Sequence, residues 1–224
     1  MIQVLVFSHT AGFRHDSIDA GIKAIQELGQ SHDFHVVATE DPTRFSSLGL
    51  KGIDVIVFLS TTGDVLNDDQ QKAFEQYMDD GGGYVGIHAA SDTEYDWPFY
   101  GSLVGAYFHS HPAIQEAIVM VVDPQHPATS FLPLEWRRTD EWYNFREAPL
   151  DSVQILLTLD TSSYEGSTMA SEHPIAWCHE IHGGHAFYTG LGHPRESFEE
   201  PLFLRHLLEG IRWAGRSAKP TGDS

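Results

Sequence analysis

Through the first half of the chain, short apolar runs alternate with stretches whose apolar residues fall at helical intervals. IQVLVF (Ile2–Phe7), FHVVAT (Phe34–Thr39), IDVIVFLS (Ile53–Ser60) and GYVGIH (Gly83–His88) are runs of strand length, rich in β-branched residues. Between them, DSIDAGIKAIQELGQ and NDDQQKAFEQYMDDGG read as amphipathic helices, with Asp16 or Ser17 and Asn67 or Asp68 as N-caps and glycines at the exits. Strand and helix in repeated alternation predict an α/β fold with a mostly parallel sheet flanked by helices. Ligands bind such sheets at the carboxyl ends of the strands. SHTAGFRHDS, STTGD and HAASDTEYDW, which follow three of the strands, are therefore where function is expected.

The second half reads as additional strands: IQEAIVMVV, EWYNF, VQILLTL, then IAWCHEI and HAFYTGLG joined by a hairpin turn at His182-Gly183-Gly184. PLFLRHLLEGIRWAG predicts a closing amphipathic helix that ends at Gly215. No repeat or linker divides the chain, so residues 1–216 are expected to form a single domain and 217–224 a flexible tail.

Charge narrows the range of partners. Thirteen Lys+Arg against 32 Asp+Glu give 13 − 32 = −19, a balance that repels nucleic acid and anionic membranes and suits a soluble protein with a polar, uncharged or cationic small-molecule ligand. No apolar stretch approaches the ~18 residues of a membrane span, and no targeting segment precedes the first strand. The single cysteine, Cys178, cannot form an internal disulfide, which fits a cytoplasmic location. Fourteen histidines stand against those 13 basic residues, several of them at strand ends.

One histidine occupies a telling place. In GGGYVGIHAA a glycine-rich approach leads through a short strand to His88, which is followed by two alanines; α/β enzymes expose a nucleophile at such a strand-to-helix elbow. Together with VLVFSHTAGFRHDSI, DEWYNF and PIAWCHEIHGGHAFYTGLGHPRESF, the segment GGGYVGIHAASDTEYDWPFYGSLVGAYFHSHP resembles the ThuA-like (trehalose utilisation) family of the class I glutamine amidotransferase-like superfamily. The resemblance runs from residue 4 to residue 198 and implies a flavodoxin-like core and a role in sugar metabolism. Amidotransferases of this fold carry cysteine at the elbow and complete a triad with a late His-x-Glu. Here the elbow is His88, the late segment is His193-Pro194-Arg195-Glu196, and Cys178 lies elsewhere, so thiol-based glutamine hydrolysis is not expected. An imidazole at the elbow suits proton transfer or metal binding.

The remaining candidates sit on the other strand-end loops. His9, Arg14 and His15 are candidates for binding substrate oxygens, with His15 equally readable as a surface residue that opens the first helix. Glu94 and Trp97, in SDTEYDW, form a plausible saccharide platform, because aromatic faces stack on sugar C–H surfaces and carboxylates accept from hydroxyls. His109 and His111, two residues apart, could join His88 in chelating a divalent metal such as zinc. In DEWYNF, Glu141 is either the carboxylate partner of His88 or a solvated strand-edge residue, and Tyr143 is a candidate substrate contact. His193 follows YTGLG, whose glycines admit a ligand close to the backbone.

These groups suit an enzyme acting on a small-molecule carbohydrate or oxidised sugar by hydrolysis, elimination or isomerisation, with His88, His193 and Glu141 as catalytic groups. A non-catalytic sugar-binding or assembly module with a decayed nucleophile site is the alternative, and homo-oligomerisation is compatible with both. The enzymatic reading expects the side chains to converge on one pocket.

Overall fold

A computed structural model describes residues 1–216; the expected tail at 217–224 lies outside the described residues. Strands β1 (Ile2–Phe7), β2 (Phe34–Thr39), β3 (Val55–Leu59) and β4 (Gly83–Ile87) alternate with helices α1 (Ile18–His32) and α2 (Asp68–Asp79). Asn67 caps α2 through a complete capping box with Gln70, whereas Ser17 precedes α1 without a side-chain cap. After the short helix α3 (Pro98–Val104), the chain runs through β5 (Phe108–Ser110), β6 (Gln115–Val121), β7 (Glu135–Asp140), β8 (Asn144–Phe145), β9 (Gln154–Asp160), β10 (Glu172–Ile181) and β11 (Gly184–Thr189), and closes with α4 (Pro201–Ala214).

Among the described residues, nine strands form one sheet in the order β2-β1-β3-β4-β11-β10-β9-β6-β7, while β5 and β8 pair separately. From β2 to β11 every pairing is parallel; from β11 to β7 every pairing is antiparallel. The architecture is the expected α/β one, with an antiparallel extension on its parallel half. EWYNF is not a continuous strand. Pairing with β6 stops at Asp140 and resumes with β5 only at Asn144–Phe145, which frees Glu141 to Tyr143 to leave the sheet plane. The strand before it, β7, is absent from the apolar-run reading because it alternates buried and exposed residues, with Trp136, Arg138 and Asp140 buried.

Strand β11 is the joint of the sheet, a parallel neighbour of β4 and an antiparallel neighbour of β10. The β10–β11 hairpin turns on His182 (φ 54°) and Gly183 (φ 82°), the two positive dihedrals that a two-residue type I′ turn requires. No described helix is long and apolar enough to cross a membrane.

Candidate functional site

The strand-end loops of both halves meet above β4. His88 takes φ 51° immediately after that strand, a left-handed conformation that costs a non-glycine residue ~1–2 kcal/mol, and opens a 3-10 turn over His88–Asp92. Surrounding contacts enforce this elbow. Tyr188 donates a 2.9 Å hydrogen bond to the His88 carbonyl, and Gly86 lies so close beneath that a Cβ there would stand 2.7 Å from the Tyr84 hydroxyl.

Four side chains from separate segments converge at this point. Among the described residues, His15 (after β1), His88 (after β4), Glu141 (after β7) and His193 (after β11) each offer one ligand atom, all within 4.8 Å of one another. His88 Nδ1 faces the Gly190 carbonyl at 2.9 Å and must donate to it, so Nε2 bears the lone pair and points inward. That Nε2 lies 3.0 Å from His193 Nδ1 and 3.4 Å from Glu141 Oε2, and His193 Nδ1 lies 3.1 Å from the same carboxylate oxygen. A proton on His193 Nδ1 therefore serves both neighbours. His111 Nδ1 lies 3.1 Å from the other Glu141 oxygen and 2.9 Å from the Pro112 carbonyl, and the Tyr143 ring packs on His88 with centroids 4.1 Å apart.

Electrostatics polarise the cluster. Burial on its own raises the Glu141 pKa, but the hydrogen bond and charge of His193, with the His88 imidazole beside it, hold it well below the usual carboxylate range. Burial on its own lowers that of His193, but the Glu141 bond and charge outweigh it and hold the imidazole above its ordinary 6.5. His15 goes the other way, pushed down to about 3 by burial first and then by His88 and His193. These shifts favour an ion pair between Glu141 and His193 beside a neutral His15.

Asp140 and Arg138 form the scaffold under these groups. The fully buried Asp140 carboxylate accepts from the backbone N–H of Glu141 (2.9 Å), Gly192 (2.9 Å) and His193 (3.0 Å), tying the end of β7 to the loop after β11. Arg138, on the same buried face of β7, reaches Asp140 Oδ2 at 3.3 Å, Glu200 Oε2 at 3.1 Å and Ser197 Oγ at 2.8 Å. Sequence reasoning assigned neither residue a role, although an arginine and an aspartate two apart on an alternating strand share one face. Phe13 went unnoticed as well. It is 68% exposed and packs edge-on against His15 at 4.9 Å, on a loop stitched to the segment after β3 by Ala11 N–H to the Thr62 carbonyl (2.8 Å) and Thr62 Oγ1 to the Phe13 carbonyl (2.8 Å).

Several sequence-predicted residues lie outside this centre. The Glu94 carboxylate is occupied by Val65 N–H (2.8 Å), Leu66 N–H (2.7 Å) and Gln71 Nε2 (2.8 Å), so it anchors the approach to α2 and is no sugar acceptor. Trp97 is buried, donates its indole N–H to Glu75 (2.9 Å) and stacks on Phe99 and Tyr100; it belongs to the core. Arg14 pairs with Glu40 at 2.8 Å and Asp19 at 3.9 Å on the surface. His9 is half-buried beside Phe7, and His109 is exposed on β5. The His88–His109–His111 trio is therefore not a metal cluster: His15 and His193 stand with His88 and Glu141 instead, while His111 lies outside the group, near the outer oxygen of Glu141 and the Pro112 carbonyl. Glu196 is exposed, and the carboxylate that pairs with His193 is Glu141.

A model of the ThuA family, described as trehalose utilisation, matches residues 3–214. The chain belongs to the ThuA family. Membership gives it a role in carbohydrate utilisation, and solved structures agree on the fold. A ThuA-like protein from Bacteroides uniformis is 25% identical with a TM-score of 0.81, over 95% of this chain and 91% of that one. Another from Parabacteroides merdae is 22% identical with a TM-score of 0.78, over 100% of this chain and 92% of that one. A Thermoplasma acidophilum protein described as part of a GMP synthase is 15% identical with a TM-score of 0.55, over 95% and 96%, in line with the glutamine amidotransferase-like fold. No curated protein matches the chain. This ThuA-family chain has no thiol at the elbow: Cys178 is buried in β10, and burial pushes its pKa up to about 12.

Proposed function

We propose that this chain is a cytoplasmic enzyme that acts on a sugar or oxidised sugar derivative, with proton transfer at the Glu141–His193 pair as its chemical core. The observation that carries the reading is the convergence of His15, His88, Glu141 and His193 from four separate segments, because a decayed binding site has no need to assemble them. The single buried thiol supports the cytoplasmic setting.

The site supplies the parts of hydrolysis, elimination or isomerisation beside a carbonyl. Glu141 holds His193 in its protonated form, ready to give a proton to a sugar oxygen; once that proton has left, the pair accepts one from substrate or water. His88 fixes His193 from behind through its own bond to Gly190, and Asp140 fixes it through the backbone. His193 has an 18% exposed side chain, and the exposed Phe13 ring beside His15 offers the apolar face on which a pyranose C–H surface stacks.

The test is incubation of the purified chain with trehalose and with keto-disaccharides, followed by NMR for products and by calorimetry for binding. Turnover that is abolished in Glu141→Gln and His193→Ala while binding persists is the expected result. Binding without turnover in the wild-type chain would make it a sugar-binding module, and neither binding nor turnover would remove the carbohydrate reading of this site.

A further inference from the structure

We infer that His15, His88, Glu141 and His193 form a site for one divalent transition-metal ion, with zinc as the best match to three imidazoles and one carboxylate. This inference rests on the reading of these residues as the working centre; in the loaded centre the ion, in place of the Glu141–His193 proton, would supply the acid.

The spacing fits. Tetrahedral zinc with bonds of ~2.0–2.1 Å sets its ligand atoms about 3.3 Å apart. The contacts found are 3.0 Å (His88 Nε2 to His193 Nδ1), 3.1 Å (His193 Nδ1 to Glu141 Oε2) and 3.4 Å (His88 Nε2 to Glu141 Oε2). A cation between these three atoms would take the place of the proton they share after an adjustment of a few tenths of an ångström, and His15, whose ligand atom lies within 4.8 Å of the others, would close in as the fourth.

The outer contacts are those a metal centre uses to aim its ligands. A ligating histidine commonly donates its other ring N–H to a carbonyl, and His88 Nδ1 does so to Gly190, leaving Nε2 free for the centre. A ligating carboxylate is itself hydrogen-bonded. His193 donates to Glu141 Oε2, His111 Nδ1 stands 3.1 Å from Oε1 while also facing the Pro112 carbonyl at 2.9 Å, and Asp140 binds the backbone N–H of both Glu141 and His193.

His15 provides the independent observation. It is only 5% exposed, belongs to the group, and its buried Nδ1 has no hydrogen-bond partner among the described residues. Buried polar atoms are partnered in the large majority of cases, so an orphaned imidazole among two others and a carboxylate calls for a ligand. The net charge of −19 favours a cation over an anion. A substrate oxygen would approach from the His193 side, the most exposed of the four.

The experiment uses the full chain after chelator treatment, titrated with Zn²⁺ by calorimetry and with Co²⁺ by visible absorption. His193→Ala, Glu141→Gln and the outlying control His109→Ala are titrated beside it, each checked for native far-UV circular dichroism. One ion per chain with the intense visible band of tetrahedral cobalt is expected, weakened at least about a hundredfold in the first two variants and unchanged in His109→Ala. Absence of binding by the folded wild-type chain, or an equal loss in His109→Ala, overturns the inference. Sugar turnover by a chain that binds no metal would sink the cofactor and leave the enzymatic reading standing. Stoichiometric metal binding by a chain that neither binds nor converts sugars would do the opposite.

Discussion

Asp140→Asn puts the scaffold beneath the centre to a quantitative test. The substitution keeps size and shape. Oδ1 still accepts from the N–H of Glu141 and His193, but the new amide NH₂ replaces the oxygen that accepts from Gly192 N–H and faces Arg138 at 3.3 Å. Two donors then confront a donor, and a fully buried arginine loses one of its two carboxylates. Breaking a buried ion pair at one partner costs ~3–5 kcal/mol. Arg138 keeps Glu200 at 3.1 Å, which places the expected loss near the lower end, about 3 kcal/mol. With a urea m-value of ~2–3 kcal/mol/M, that loss lowers the unfolding midpoint by roughly 1–1.5 M. Tryptophan fluorescence in urea reads the midpoint, and histidine NMR gives a second readout. Asp140 is one of the charges that hold the His193 pKa up, so that pKa falls in the variant. A midpoint within about 0.3 M of wild type would refute the argument that Asp140 joins β7 to the His193 loop.

Acidification gives another test. His173, between the Tyr164 hydroxyl and the Tyr143 carbonyl, and His206, donating to the Ala128 carbonyl, are buried and pushed down from 6.5 to about 4 chiefly by desolvation. A depressed folded-state pKa contributes stability that is present above the unfolded value and lost as pH falls, so each should cost about 2 kcal/mol at pH ~5 relative to neutral pH. His193, with a raised pKa, contributes with the opposite sign, its stabilisation being lost as pH rises. Urea titrations across this range should show stability falling towards pH ~5, and a flat profile would count against the neutral buried histidines. Phe13→Ala should raise KM roughly 2- to 13-fold with kcat little changed, as expected for loss of one aromatic stacking contact of ~0.5–1.5 kcal/mol, with recovery in Phe13→Trp. A fall in kcat alone would place Phe13 elsewhere in the mechanism. Cys178 should resist thiol reagents in the folded chain and react fully in denaturant; ready labelling of native protein would contradict its burial.

The parallel half was legible because its central strands β3 and β4 are buried on both faces and read as unbroken apolar runs; β1 and the edge strand β2 fall at their expected boundaries. Strand β7 was hidden by its own alternation, since EWRRTD contains a single apolar residue and two of its three buried side chains, Arg138 and Asp140, are charged and paired with each other. Of the candidate site, the elbow placed His88, and the glycines before His193 marked that loop. Glu141 stood between two readings that sequence weighs equally, because only the end of pairing after Asp140 turns it inward. Spacing misled where it was strictly local: His109 and His111 are two apart, yet only His111 reaches the centre. Glu94 and Trp97 have the right chemistry for sugar, but their polar atoms are used within the fold.

The pairing of β4 with β11 has a consequence for biosynthesis. Gly83 aligns with His185, so the central strand that carries the elbow leaves the ribosome about a hundred residues before its second neighbour. At ~5–20 residues per second, the edge of β4 stays open for roughly 5–20 s, an unpaired apolar template for any other nascent chain. Truncations that end before Gly184 should therefore aggregate rather than yield a smaller working core, and co-translational chaperones should engage this chain over that interval.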